Sequence, residues 1–383
     1  PQHKPDPPIR RQVLPPDDPQ WVAKLKSLPA NTWVEANPKP DTIGRRFPAR
    51  RDWGIAACDP VRGDVYYFGG GHATYQVRDV AIYAAGANRW VHAAGDHNDF
   101  LPPVGWGGTS IGYRGGPAAS HQRNSYVALD GRMYTDHGAG TMRPEYTNPA
   151  MAEPGPRFTH FYDVDWSGVW RRRRIAKVHW GPNIEGTYGR VHLAHPDGRV
   201  VGFGGRLEPY DGRKCPPGLA TFAAYDVDNN ELFVERIPAP MPDWVPECRP
   251  FCLAPDRGET GGIFFYEWRE GGGHRTWLYD IATNCFTDLE PKRQPPPGPP
   301  GTVLYLQGQD AVWAAIKKRG AGYAQWVYSF ERNTWAPFST KGDTPGFTDP
   351  YCQTVYSPKF GVLINVRNPT RLMRPDVRGV EWE

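Results

Sequence analysis

The residues best suited to chemistry lie in and after one stretch, SHQRNSYVALDGRMYTDHGAG (120–140). It reads as two strands joined by a tight turn at Asp130-Gly131, a dipeptide that takes the positive φ angles of a two-residue hairpin. His121, Arg123 and Asn124 open the first strand and His137 closes the second. The two ends of a hairpin are neighbours, so both histidines belong to one rim. In the next repeat Tyr188 and Arg190 open a strand and Arg206 closes its partner. Imidazole, phenol and guanidinium on one rim are the groups needed to move a proton on an anionic substrate.

The elements that must position them are strands. Glycine (43) and proline (42) are both abundant and aromatic residues make up 13% of the 383, a combination that argues for many short strands and turns. Apolar spacing of three and four is not sustained, apart from a short helical turn or two at Trp21–Leu28. The net charge of +4 suits an anionic ligand and falls far short of a nucleic-acid-binding stripe. No apolar run is long enough to span a membrane.

One phrase recurs. NTWVEA (31–36), NRWV (88–91), NCFT (284–287), NTWA (333–336) and DNNELF (228–233) each follow a turn, and all but the first follow an aromatic strand. Upstream of several stands an apolar strand ending in glycine: VYYFGGGH (65–72), RVVGFGGR (199–206) and, more degraded, GIFFYEWRE (262–270). A period of roughly 45 to 80 residues belongs to the class that signals a propeller. The pattern resembles kelch repeats, and the expected fold is an all-β propeller of four-stranded blades. Six blades are counted, at roughly 45–95, 108–175, 183–238, 245–291, 300–338 and 350–383, with a seventh inside the long second repeat as the alternative. Residues 31–36 have no preceding strands of their own, so they are expected to complete the last blade and close the ring. Residues 1–30 are expected to be an extended arm, and 31–383 one domain. A proline-rich insertion (141–157) adjoins His137 and is a candidate groove wall.

In a propeller, first-strand starts and second-strand ends share one face. That face collects Arg50, Arg51 and His72; His121, Arg123, Asn124 and His137; Tyr188, Arg190 and Arg206; Arg249, Tyr266 and Arg269; and Asn365 and Arg367. The layout resembles the propeller polysaccharide lyases, especially the ulvan lyases and the rhamnose–glucuronate lyases. In that family a His opens an inner strand, a second His closes its partner, a Tyr opens the next inner strand and an Arg ends the strand after it. His121, His137, Tyr188 and Arg206 meet that order, with Arg190 competing for the arginine role. The resemblance implies β-elimination on a uronic-acid polysaccharide, with Arg51, His72, Asn124, Arg190 and Tyr266 lining subsites and no catalytic cofactor.

The chemistry suits these groups. An arginine fork neutralises the uronate carboxylate and stabilises the enolate-like state. A neutral His takes the C5 proton, and a Tyr hydroxyl protonates the leaving oxygen, or the two exchange roles. No carboxylate pair flanks a scissile bond, which counts against ordinary glycoside hydrolysis.

Cys215, Cys248, Cys252 and His274 are candidate ligands of a structural zinc; a Cys215–Cys248 disulfide and free buried thiols are the alternatives. Two rival functions stand beside the lyase: a non-catalytic kelch propeller binding glycan or protein, and a galactose-oxidase-like copper oxidase, for which no Cys stands beside a rim Tyr. The function implies an anionic polysaccharide as partner, a monomer, and a secreted or periplasmic location with its leader removed.

Overall fold

The computed structural model describes residues 14–40, 55–68, 80–92, 126–135, 160–165, 170–181, 193–205, 220–242, 251–268, 273–318, 322–345 and 353–382. The fold is an all-β propeller. Its strands form six sheets, and five of these take their four core strands in chain order. Sheet 1 is Ile55–Cys58, Val65–Phe68, Ala81–Ala84 and Arg89–His92; sheet 2 is Tyr126–Leu129, Arg132–Thr135, His160–Val164 and Trp170–Arg174. Sheet 3 is Leu193–Ala194, Arg199–Gly205, Ala220–Asp226 and Glu231–Arg236, with Lys177–Trp180 added in parallel at its outer edge. Sheet 4 is Phe251–Ala254, Gly262–Trp268, His274–Asp280 and Cys285–Asp288; sheet 5 is Pro300–Leu306, Ala311–Lys317, Tyr323–Ser329 and Thr334–Pro337.

Sheet 6 is composite. Thr354–Ser357, Val362–Asn365 and Arg371–Met373 come from the C-terminal end, and Thr32–Glu35 is the next strand out, with Val34 opposite Leu372 and Glu35 opposite Arg371. Lys341–Gly342 caps its outer edge in parallel, Gly342 lying opposite Trp33. A side chain at Gly342 would collide with the Trp33 carbonyl, and its φ is +75°, so glycine is required for the two backbones to approach. The first strand of each sheet contacts the first strands of both neighbours, in the cyclic order of the chain.

The core is correspondingly divided into six apolar wedges, one in each seam between neighbouring sheets. Strand periodicity explains how one strand serves two wedges. Val65 and Tyr67 face sheet 6 while Tyr66 and Phe68 face sheet 2. A strand covered on both sides has no polar face to show, which is why VYYF, AVWAAIK and GIFFYEW read as almost unbroken apolar runs.

The recurring Asn turn has a physical cause. Asn31, Asn88, Asn230, Asn284 and Asn333 all have φ between 48° and 56°, the left-handed region that Asn tolerates better than most residues. In four of them the side-chain oxygen accepts from a tyrosine five residues earlier: Tyr83, Tyr225, Tyr279 and Tyr328, at 2.7–2.8 Å. The amide then donates to a backbone carbonyl beyond its own sheet, from Asn88 to Ala36, Asn230 to Arg174, Asn284 to Arg236 and Asn333 to Leu289. One short motif therefore builds the outer turn and joins adjacent sheets.

Within the stretch expected as an extended arm, Pro19–Lys26 is a helix capped by Asp18. Leu25 and Leu28 enter the wedge between sheets 6 and 1, and Trp21 donates to the Ala85 carbonyl at 2.9 Å. The arm from Leu14 onward is thus packed rather than free. Apolar side chains lying next to a seam that can accept them account for the difference.

Candidate functional site

The hairpin at the centre of the sequence argument forms with Tyr126 opposite Thr135 and Leu129 opposite Arg132. Asp130 and Gly131 have φ of 48° and 73°, as an Asp-Gly hairpin turn requires. The ring therefore has two distinct ends. One carries the turns between first and second strands; the other is the end at which Tyr126 begins and Thr135 finishes.

The turn end is fastened across the seams. Asp59, fully buried, accepts from the backbone N–H of Val61 and Arg62 in its own turn and from Gly131 in sheet 2 at 2.6 Å. His195 donates from Nε2 to the Thr260 carbonyl of sheet 4 at 2.8 Å. Tyr305 donates to Asp256 at 2.5 Å, Tyr356 to the Gln307 carbonyl at 3.2 Å, and Ser357 to the Gly63 carbonyl at 3.4 Å. Arg257 of sheet 4 forms an ion pair with Asp310 of sheet 5. Beside Asp59, burial raises the Asp64 carboxyl to about 6 against the opposing pull of Arg62, whose Nε lies 3.1 Å away. Sequence reasoning missed this network. Its local signal is an Asp, or a His followed by Asp, at the start of an inner turn.

The positions expected to act adjoin, in the sequence, the strand ends on the other side. His121 precedes Tyr126 by five residues, His137 follows Thr135 by two, Tyr188 precedes Leu193 by five and Arg206 follows Gly205 directly. These four lie outside the described residues, as do Arg51, His72, Asn124, Arg190, Cys215 and Cys248. The strands that frame them are described. Tyr126–Leu129 and Leu193–Ala194, the first strands of sheets 2 and 3, are in contact, and the second strands of both sheets run away from the turn end.

Three expected site residues are described, in sheet 4. Tyr266, expected to line a substrate subsite, is 0% exposed inside the wedge between sheets 4 and 5. Its ring packs edge-on to Trp335 at 5.6 Å and lies 6.1 Å from the His274 ring. The Tyr266 hydroxyl is buried without a hydrogen-bond partner among the described residues, and burial pushes its acidity well out of the physiological range. A side chain so enclosed does not touch a sugar. His274 is half-buried, and desolvation lowers its pKa, because burial disfavours the imidazolium. On the opposite face of the sheet from Tyr266, buried Glu267 accepts from Trp277 Nε1 at 2.8 Å.

Cys252 and His274, the two described members of the expected zinc set, do not come together. Cys252 pairs with Phe264, and Phe264 with Leu278. Cys252 is therefore level with Leu278, whereas His274 stands four positions along that strand. That is about 13 Å along the strand and two strand spacings across, roughly 10 Å. Ligands to one zinc lie about 2 Å from the metal, so Cys252 and His274 cannot share an ion. Cys252 instead packs in the apolar wedge, and burial raises its thiol well above the ordinary value. Among the described residues no three His, Cys, Asp or Glu converge as metal ligands.

No family model matches the chain, and no curated protein does. Among solved structures it is similar to TolB from Acinetobacter baumannii, 13% identical over 76% of this chain and 54% of that one, with a TM-score of 0.40. A fungal alcohol oxidase of the AA5 family, in complex with copper, is 15% identical over 71% of this chain and 50% of its own, with a TM-score of 0.39. A chain of the mitotic checkpoint complex is 10% identical over 91% and 97%, also with a TM-score of 0.39. The chain spans about half the length of the first two.

Proposed function

We propose that the chain is a six-bladed, kelch-like propeller closed by its N-terminal strand, and that it is a polysaccharide lyase. It cleaves a uronic-acid-containing polymer, ulvan-like or rhamnosyl-glucuronate, by β-elimination. The observation that carries this reading is the contact between the first strands of sheets 2 and 3, together with the pairing of Tyr126 with Thr135. In the sequence His121 and Tyr188 stand five residues before those first strands, and His137 and Arg206 follow the second strands of the same two sheets. Six sheets, each meeting its neighbours through its first strand, support the ring.

In this mechanism Arg206 forms a two-point contact with the substrate carboxylate, which makes the C5 proton removable. His121 and Tyr188 serve as base and acid, and His137 holds the carboxylate or orients Tyr188. One residue takes the C5 proton, the C4–O bond breaks with its electron pair leaving on oxygen, and the other residue protonates that oxygen. The products are a new reducing end on the departing chain and a non-reducing-end sugar carrying a C4–C5 double bond. Arg51, His72, Asn124 and Arg190 line the subsites. The protein acts as a monomer outside the cytoplasm, where such polymers are met.

The test is release of ultraviolet-absorbing unsaturated product from ulvan, gum arabic, glycosaminoglycans and pectins. The expected result is activity on a uronate polymer that falls by about 10²-fold or more in His121→Ala and in Tyr188→Phe, the range typical of a lost general acid or base. Full activity in both variants overturns the assignment.

A further inference from the structure

The turn end of the ring carries a cleft of about 800 Å³, within the size range of small-ligand sites. It lies where three sheets meet: the first turn of sheet 4 supplies Asp256 and Arg257, that of sheet 5 Gln309 and Asp310, and the segment leaving sheet 6 Arg374, Asp376 and Arg378. Most of the wall is internally neutralised. Arg257 pairs with Asp310, and Arg378 grips Asp376 through two bonds at 2.9 and 2.5 Å. Asp256 accepts from Tyr305. Gln309 is fixed by Pro375 and Val377 of sheet 6, at 2.9 and 3.0 Å.

Arg374 differs. It is partly buried, and its Nε donates to the Leu28 carbonyl at 2.8 Å, but its two terminal nitrogens have no hydrogen-bond acceptor among the described residues. A guanidinium edge with two parallel donors matches one carboxylate. The wall's three arginines are balanced by three aspartates, which leave a multiply charged anion such as phosphate no net positive field. The aspartates also offer acceptor oxygens to hydroxyl groups. No aromatic side chain lines the cleft, so it is not built for a planar ring.

We propose that this cleft is a second, non-catalytic ligand site that takes a hydroxylated monocarboxylate, a sugar acid, with Arg374 on the carboxylate. The choice of a sugar acid rests on the uronate reading of the opposite face, and the cleft would hold the same polymer away from the cutting site.

The experiment is calorimetric titration of the full chain with D-glucuronate, D-glucose and inorganic phosphate, in the unsubstituted protein, Arg374→Gln and Arg206→Gln. The expected result is a glucuronate site at least ten-fold tighter than glucose or phosphate, weakened at least ten-fold by Arg374→Gln and retained in Arg206→Gln. Glucuronate binding untouched by Arg374→Gln, or phosphate binding as tightly, overturns the proposal. Binding that depends on Arg374 in a protein that cleaves no uronate polymer leaves the cleft standing and removes the lyase reading. Should Arg374→Gln fail to fold, hydrogen exchange on the unsubstituted chain decides. Saturating glucuronate must protect the amides of Gly308–Asp310 and Asp376–Arg378, and no protection there overturns the proposal.

Discussion

At the scale of residues, the charged groups of the turn end are structural before they are anything else. Asp59 satisfies three backbone donors across two sheets, and a buried carboxylate so placed is costly to lose. Asp64 beside it is held in an environment that favours its neutral form, with a carboxyl raised to about 6 by burial. The acid is easier to protonate folded than unfolded, so its contribution to stability is complete below about pH 4 and is lost as pH rises through 6. Its charged neighbours are Asp59, Arg62 and Lys359. Denaturation midpoints measured from pH 4 to pH 7 are expected to fall less steeply in Asp64→Asn than in the unsubstituted chain. Identical slopes would show that Asp64 titrates normally.

At the scale of elements, the outer Asn turn is the repeating device of the fold. The five asparagines adopt positive φ and four tie a tyrosine hydroxyl to a neighbouring backbone carbonyl. Two contributions can be separated at Asn333. Asn333→Gly keeps the left-handed conformation but loses the bonds to Tyr328 and Leu289, at about 1–2 kcal/mol. Asn333→Ala loses those bonds and adds backbone strain of about 1–2 kcal/mol. Urea titration is expected to rank the stabilities native, then Gly, then Ala; an alanine variant as stable as the glycine variant would remove the conformational explanation. These turns were legible because the motif is local: Tyr and Asn five apart, then a strand. The inner-turn latches were not, because Asp59 meets Gly131 and His195 meets Thr260 from far along the chain.

At the scale of the whole molecule, sheet 6 takes one of its strands from the opposite end of the sequence. Thr32–Glu35 supplies sheet 6 with its fourth strand, and Trp33 fills the wedge between sheets 5 and 6, 2% exposed. Removing so large a buried side chain costs about 3–5 kcal/mol. Trp33→Ala is expected to lower the unfolding free energy by that amount, and hydrogen exchange is expected to rise first in Arg371–Met373, its partner strand. Exchange rising first in sheet 2 or 3 instead would show that Thr32–Glu35 does not hold the ring together.

The sequence by itself determined what is written locally or by repetition. The all-β class, the Asp130-Gly131 hairpin, the Asn turns and the kinship of residues 31–36 with the other Asn-Trp strands all follow from spacing and turn chemistry within a few residues. Tertiary structure alone decided which polar groups are shared between sheets. It sealed Tyr266 inside a wedge, set Cys252 and His274 too far apart for one metal, drew Leu25 and Leu28 into a seam, and brought Arg257, Gln309 and Arg374 to one cleft. Burial and pairing at those places are fixed by neighbours from another sheet, and a single strand's pattern carries no record of which sheet will lie against it.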